Sequence, residues 1–284
     1  MPNECAAQRV KKTNKQDLLY RIPFIIRLAH WLVALALFFL LLSGFQIFNA
    51  HPALYWNNAS DFDRPFFQIG ATETDEQQAV GVIQLGNLRF KTTGFFGVVK
   101  DSDGQVQARA FPGWLTIPSN QDLASGRRWH FFFAWFLVVS TVLYLLGNLM
   151  RNRGLRDLVP SSQQWRKIGR SVWEHLKFRV GHEGEQGHYN ILQKLAYLAT
   201  MFALIPLIVA TGLAMSPFVD AAFPWLPILF GGRQAARALH FFVSIALVLF
   251  FLVHLLMVIL AGPLNELRSI ITGWYRPRPV SPTE

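Results

Sequence analysis

Four long apolar runs constrain this chain more than any other feature in it. Phe24 to Phe48, Trp129 to Leu149, Ile191 to Met215 and Ala236 to Gly262 each extend for about 20 to 27 residues with very few charges inside. A hydrocarbon core about 30 Å thick is crossed by roughly 20 helical residues, so four membrane-spanning helices are predicted, over about 24–48, 129–149, 191–215 and 236–262. The third run holds Pro206 and Gly212, which membrane helices tolerate and which mark the place for a kink. A signal peptide is the competing reading for the first run. That run is too long for one and no small-x-small cleavage site follows it, so an uncleaved anchor is expected. Composition agrees, because charged residues are only 15% of the chain and apolar ones 52%, whereas soluble domains carry about 25% charge.

The few charges are mostly cationic: 27 Lys and Arg against 17 Asp and Glu leave a net charge of +10. Their position gives the excess its meaning. Arg9, Lys11, Lys12, Lys15 and Arg21 precede the first run, a cluster from Arg151 to Arg179 separates the second from the third, and Arg276 and Arg278 follow the fourth. All three places fall on one side of a four-span protein. By the positive-inside rule that side is the cytoplasm, with both termini inside. The excess is thus a topology signal, met by membrane lipid, and gives no reason to invoke nucleic acid.

The domain plan follows. A cytoplasmic tail over 1–23 leads into a four-helix membrane domain over 24–262, and a second cytoplasmic tail covers 263–284. The segment 49–128 and a short turn at 216–235 face outward. The first of these is too long for a structureless loop. Val82 to Phe90 alternates in part, Phe95 to Val99 is apolar, and Asp101-Ser-Asp-Gly104 signals a turn before the alternating Gln105 to Ala110, so a β-hairpin or three-stranded cap is expected. In the inner segment 150–190, Ser161-x-x-Gln164 resembles a capping box. Trp165, Ile168, Val172 and Leu176 then recur at helical spacing among Arg166, Lys167, Arg170 and Lys177, as in a basic amphipathic helix of the membrane interface.

The single cysteine, Cys5, excludes an intramolecular disulfide, a cluster held by several thiolates of this chain and a C-x-x-C-H haem attachment. Any cofactor needs other ligands, and eight histidines are present. Four fall inside the predicted spans: His30, His130, His240 and His254. Ionisable groups at membrane depth are costly and point to function. His240 and His254 are fourteen residues apart on one helix, which brings them within about 40° of the same face and about 21 Å apart along the axis. Because successive spans alternate in direction, His30 shares the inner level with His254 and His130 shares the outer level with His240. Two imidazole pairs stacked across a bilayer are what two b-type haems require.

Arg27-Leu-Ala-His30-Trp, Arg127-Arg-Trp-His130-Phe and Arg237-Ala-Leu-His240-Phe repeat one arrangement, Arg-x-x-His-aromatic. Each Arg sits one turn nearer the membrane surface than its His, where a haem propionate would emerge and a guanidinium pairs well with a carboxylate. Gly44 lies fourteen residues after His30, where a missing side chain leaves room for the second macrocycle. Lone membrane histidines are more often packing residues, and arginines at helix ends often only snorkel. Two depth-matched pairs, three members carrying the same upstream Arg, favour ligation. Zinc fits less well, since no carboxylate accompanies either pair, and a proton relay would need Asp or Glu in the spans. His175, His182 and His188 lie with Glu183 and Glu185 in the inner segment and match no metal-ligand spacing. His182, Tyr189, Asn190 and Gln193 are candidates to line a quinone pocket near the inner haem. His51, in His51-Pro-Ala-Leu-Tyr-Trp56, reads as part of a structural outer turn with interfacial aromatics.

On His30, His130, His240 and His254, the chain resembles the di-haem membrane cytochrome b family. That family includes bacterial cytochrome b561, the cytochrome b subunits of nickel–iron hydrogenases and thiosulfate reductases, and the gamma subunit of formate dehydrogenase. The resemblance implies an all-α integral membrane protein of the bacterial inner membrane, a four-helix bundle holding two haem b, to which the residue pattern of the outer segment adds a small β-containing insertion. It implies the same pairing of His30 with His254 and of His130 with His240 as ligands to the haem iron. Leu115 to His130, Tyr189-Asn-Ile-Leu-Gln-Lys194 and Gly231 to His240 are similar to a subgroup paired with periplasmic molybdopterin oxidoreductases. An electron-transfer subunit between the quinone pool and such a partner is therefore the leading expectation. Bis-histidine ligation leaves no open iron position, which favours electron transfer over oxygen activation. The alternatives are a self-contained quinone-linked reductase or oxidase, such as a superoxide oxidase, and a non-redox scaffold or transporter without haem. The insertion is longer than in the short superoxide-oxidising members, which favours a docked partner.

Overall fold

The computed structural model describes residues 10–12, 17–56, 58–73, 78–100, 104–149, 159–166, 168–169, 173 and 191–277. Four helical spans in it are long and apolar enough to cross a membrane: Phe24–Ala50, Leu123–Leu149, Ile191–Ala214 and Arg233–Ala261. The chain divides into two compact units, one from the described residues of 1–32, 140–203 and 248–284, the other from those of 33–139 and 204–247.

In the first unit, strands β1 (Val10–Lys12) and β2 (Asp17–Tyr20) lead into α1 (Phe24–Ala50). The capping box expected at Ser161 is formed at the start of α3 (Ser162–Arg166): the Gln164 amide donates to Ser161 Oγ at 3.3 Å and the Ser161 amide to Gln164 Oε1 at 3.0 Å. Most of the amphipathic helix expected beyond it, including Lys167, Arg170, Val172, Leu176 and Lys177, lies outside the described residues. The sequence reading has a tail from 263 onward, and there the structure places a helix, α9 (Pro263–Thr272), and a strand, β9 (Trp274–Tyr275). Gly262, with φ +112°, breaks the preceding helix, and Pro263 starts the next one at a first-turn position that needs no N–H donor. β9 pairs antiparallel with β2, and β2 with β1.

The third span is not one uniform α-helix. It runs as α4 (Ile191–Ala199), a π-helical turn over Thr200–Leu204, and α5 (Ile205–Ala214). Pro206 lacks an N–H and its ring crowds the carbonyl four residues back, so the wider turn forms just before it.

The second unit holds parts of all four spans and the insertion. α2 (Leu123–Leu149) begins six residues before its apolar run. Asp122 starts it, accepting from the Ser125 amide at 3.0 Å, and hydrogen bonding from the Ser125 side chain first and its amide second holds the carboxyl below its ordinary range. His130 is consequently the eighth residue of its helix instead of the second residue of its apolar run. The turn expected at 216–235 carries two short helices, α6 (Pro217–Ala222) and α7 (Trp225–Leu229), before α8 (Arg233–Ala261). Proline at the start of α6 again marks the break.

Strands β3 (Ala53–Leu54), β4 (Phe67–Glu73), β5 (Ala79–Leu85) and β6 (Leu88–Lys91) form an antiparallel sheet in that order, and β7 (Gly97–Lys100) pairs with β8 (Val106–Arg109) as a separate hairpin. Gly97, at φ +81°, carries the hairpin against the sheet: a Cβ there would lie 2.2 Å from the Gly70 carbonyl oxygen. The insertion is anchored by an apolar cluster of Phe48, Leu54, Ile69, Ala110, Phe111 and Ala238. Asn49 at the end of α1 extends that anchor by pairing with the Phe111 backbone, accepting its N–H at 2.7 Å and donating to its carbonyl at 3.1 Å.

Candidate functional site

In the first unit α1 presents His30 and α8 presents His254, with ring centres 6.3 Å apart and planes inclined at 52°. Phe250, one turn before His254, stacks on its ring at 6.0 Å, and Tyr197 of α4 meets it edge-on at 6.5 Å. Trp31 packs edge-on against His30 at 5.5 Å. Nδ1 of His30 is buried without a hydrogen-bond partner. Arg27, one turn before His30, donates from Nη1 to the Ile271 carbonyl, while its Nε is buried and unpartnered.

In the second unit α2 presents His130 and α8 presents His240, with ring centres 6.1 Å apart and planes inclined at 60°. Gly44 of α1 faces His130 so closely that a Cβ would sit 3.5 Å from Cε1. Gly212 of α5 faces His240 in the same way, at 3.3 Å from Cε1. Ser43 Oγ lies 3.1 Å from His130 Nδ1, and Thr211 Oγ1 lies 3.1 Å from His240 Nδ1. Trp129, Phe39 and Phe133 form a stacked aromatic group beside this part of α2, with Phe39 and Phe133 4.3 Å apart.

The three arginines of the repeated motif meet different surroundings. Arg237 donates to the carbonyls of His51 and Ala53, tying α8 to the turn after α1. With Arg233, Gln234 and Met215 it also lines a cavity of about 260 Å³, and Gln234 Oε1 is buried and unpartnered. Arg127 is exposed, with its guanidinium 5.6 Å from the Phe131 ring. His51 sits in the turn with Nε2 3.1 Å from the Tyr55 hydroxyl, and burial first and the Arg237 charge second lower its pKa. His175, His182, His188, Tyr189 and Asn190 lie outside the described residues, and Gln193 falls in α4. Sequence reasoning missed Ser43 and Thr211, and assigned Gly212 only to a kink. The available signal was a shared dipeptide, a hydroxyl residue followed by glycine, on two different spans.

The donor set suits a haem iron. Imidazole nitrogens bound at about 2.0 Å on opposite sides of one metal place their ring centres about 6 Å apart, and both pairs have that separation. The orphaned Nδ1 of His30 is a further mark of a site that would take such a group, and the glycines leave room for the His130 and His240 rings themselves. Among the described residues no three His, Cys, Asp or Glu come together as a metal-holding group. Each histidine pair stands by itself.

The family model described as prokaryotic cytochrome b561 matches residues 21–273, and with them all four spans and all four span histidines. The chain is 30% identical over 238 residues to "Putative protein-methionine-sulfoxide reductase subunit YedZ1" of Azospira oryzae, an overlap of 84% of this chain and 89% of that protein. No solved structure matches. The chain belongs to the prokaryotic cytochrome b561 family, whose members bind haem b, and is an inner-membrane electron-transfer subunit of that type.

Proposed function

We propose that this protein passes electrons between the quinone pool and a periplasmic oxidoreductase through two haem b, one held by His30 and His254 and the other by His130 and His240. The observation that carries the proposal is the pair of imidazole separations, 6.3 and 6.1 Å. A haem held by these histidines would supply one-electron transfer. The chain supplies the rest: two imidazole rings at each pair, aromatic walls from Trp31, Tyr197 and Phe250 around one pair, and glycine clearance around the rings of the other. Arg27, Arg127 and Arg237 lie one turn from their histidines, where each would pair with a haem propionate, although Arg27 and Arg237 already donate to backbone carbonyls. Quinone reacts at the cytoplasmic face, beside the His30 and His254 pair.

The distribution of cations supports an arrangement with both termini in the cytoplasm and the insertion 49–128 outside. The insertion is a packed platform of strands and not a slack loop, which suits a docking role. The relative's description as a reductase subunit supports a catalytic partner outside the membrane, and the motifs 115–130, 189–194 and 231–240 favour a molybdopterin type. The test is a reduced-minus-oxidised spectrum with haem quantification on the solubilised full chain. Two haem b per chain are expected, and none in a His240→Ala/His254→Ala double variant. A double variant with an unchanged α band overturns the ligand assignment. Recovery of the same soluble oxidoreductase by chains with and without the insertion overturns the docking role.

A further inference from the structure

Ser43 and Thr211 are fully buried, each 0% exposed, and each is followed by one of the two glycines that face a histidine ring. A hydroxyl has one proton. Ser43 Oγ donates it to the Phe39 carbonyl at 2.6 Å, with the Leu40 carbonyl at 3.2 Å, and Thr211 Oγ1 donates to the Leu207 carbonyl at 2.7 Å, with Ile208 at 3.1 Å. Back-bonding to the carbonyl four residues earlier is the usual habit of these side chains inside a helix. With that proton committed, each oxygen acts only as an acceptor at its other contact. That contact is Nδ1 of His130 in one case and Nδ1 of His240 in the other, both at 3.1 Å. Nδ1 must then carry the ring proton in both histidines, and Nε2 is left with its lone pair. The tautomer follows from counting protons between heavy atoms.

We propose that Ser43 and Thr211 are positioning residues for the haem of the His130 and His240 pair. Together with the Leu40 and Ile208 carbonyls, which hydrogen-bond the same two rings, they fix the ring rotation and the Nδ1–H tautomer of both ligands and strengthen both as donors to the iron, because an acceptor on the far nitrogen raises imidazole basicity. This inference rests on the ligand assignment proposed above. Two helices, α1 and α5, apply the same device, a hydroxyl that orients the ring and a neighbouring glycine that clears its edge. His30 has no such partner at Nδ1, and Ser43 and Thr211 contact only the His130 and His240 rings, so the effect is expected at their haem.

The test uses the solubilised full chain with its haem, comparing Ser43→Ala and Thr211→Val with the hydroxyl-retaining Ser43→Thr and Thr211→Ser. Haem content, a redox titration resolving the two haems, and the low-temperature EPR spectrum of the ferric state are read together. The haem that disappears in His240→Ala should become easier to reduce in both hydroxyl-free variants. The expected change is about tenfold in its ferrous-to-ferric ratio at fixed ambient potential, about 59 mV for one electron. Its EPR signal should move, while the other haem and both hydroxyl-retaining variants stay at wild-type values. Unmoved midpoints and EPR in Ser43→Ala and Thr211→Val, with both haems retained, overturn the proposal. If Ser43→Ala loses the haem, Ser43→Thr decides: retention at the wild-type midpoint supports the hydroxyl, and loss there too overturns it. Failure of the ligand assignment looks different, since His240→Ala would then keep both haems.

Discussion

Two imidazole pairs of nearly equal ring separation are built into different surroundings. The rings of His130 and His240 are each held at Nδ1 by a buried hydroxyl and faced at the edge by a glycine. Around His30 and His254 the neighbours are aromatic, Trp31, Phe250 and Tyr197, and Nδ1 of His30 is left without a partner. Ligand identity alone therefore does not set how such a centre behaves. Rings fixed at the far nitrogen are stronger donors and have less freedom to rotate, whereas rings held by packing depend on shape. In the proposed reading the first pair would be tuned by hydrogen bonds and the second by its apolar wall.

The largest effects should come from removing a ligand. His240→Ala and His254→Ala should each cut the haem content from two per chain to one, measured by pyridine haemochrome against protein, and the haem that survives should differ between them. Loss of both from either single variant would show that the pairs are not independent. Next come the glycines. Overpacking a tight site costs about 1–3 kcal/mol, and a Cβ at Gly212 approaches His240 more closely than one at Gly44 approaches His130, 3.3 against 3.5 Å. Gly212→Val should strip most of the haem from the His130 and His240 pair, and Gly44→Ala should strip less. An equal loss from the haem of the other pair would break the distinction.

How much of this could be read in advance depended on how each residue is paired. The spans were legible because a bilayer demands unbroken apolar length, and the four histidines because a polar ring within such a run stands out. Ser43 and Thr211 did not stand out. A hydroxyl within a span satisfies itself on the preceding turn, so its presence carries no signal until a ring is seen beside it. The start of α2 was hidden for a related reason: Leu123 to Arg128 is helical but not apolar, and Asp122 caps it from outside the hydrophobic pattern. The alternation between Val82 and Phe90 corresponds to β5 and β6 with their turn at Gly86. β4 pairs with β5, the next strand in the chain, along its whole length, and it was missed because Gly70 and Ala71 weaken the alternation begun by Phe67, Gln68 and Ile69.

Between the glycine effects and the smallest lies Arg109, 7% exposed at the end of β8. It donates to the Ser119 carbonyl at 2.7 Å, Gln46 Oε1 at 2.9 Å and Thr116 Oγ1 at 2.8 Å, three neutral acceptors that join the insertion to α1. Arg109→Met keeps the stem and leaves those acceptors unpaired, at a cost of about 3 kcal/mol. A lower melting temperature is expected, with the His130 and His240 haem lost first on heating. Simultaneous loss of both haems would place Arg109 in the general stability of the chain instead of in one unit.

The smallest effect is a pH dependence at His51, which belongs to the same unit. Burial, and then the charge of Arg237, hold its pKa below the ordinary 6.5, so the folded protein binds a proton there less readily than the unfolded chain does. A depressed folded value contributes stability that is present above the unfolded pKa and is lost as pH falls through the folded one. The melting temperature should accordingly decline on acidification below about pH 6.5, and His51→Gln should flatten part of that decline without altering haem content. His51 is only partly buried, so solvent screens the effect and the difference between the two melting curves should be modest. Identical slopes for the variant and the wild type would remove His51 from the pH response. A slope that vanished altogether would make this turn, tied to α8 through Arg237, the main acid-sensitive point of the unit.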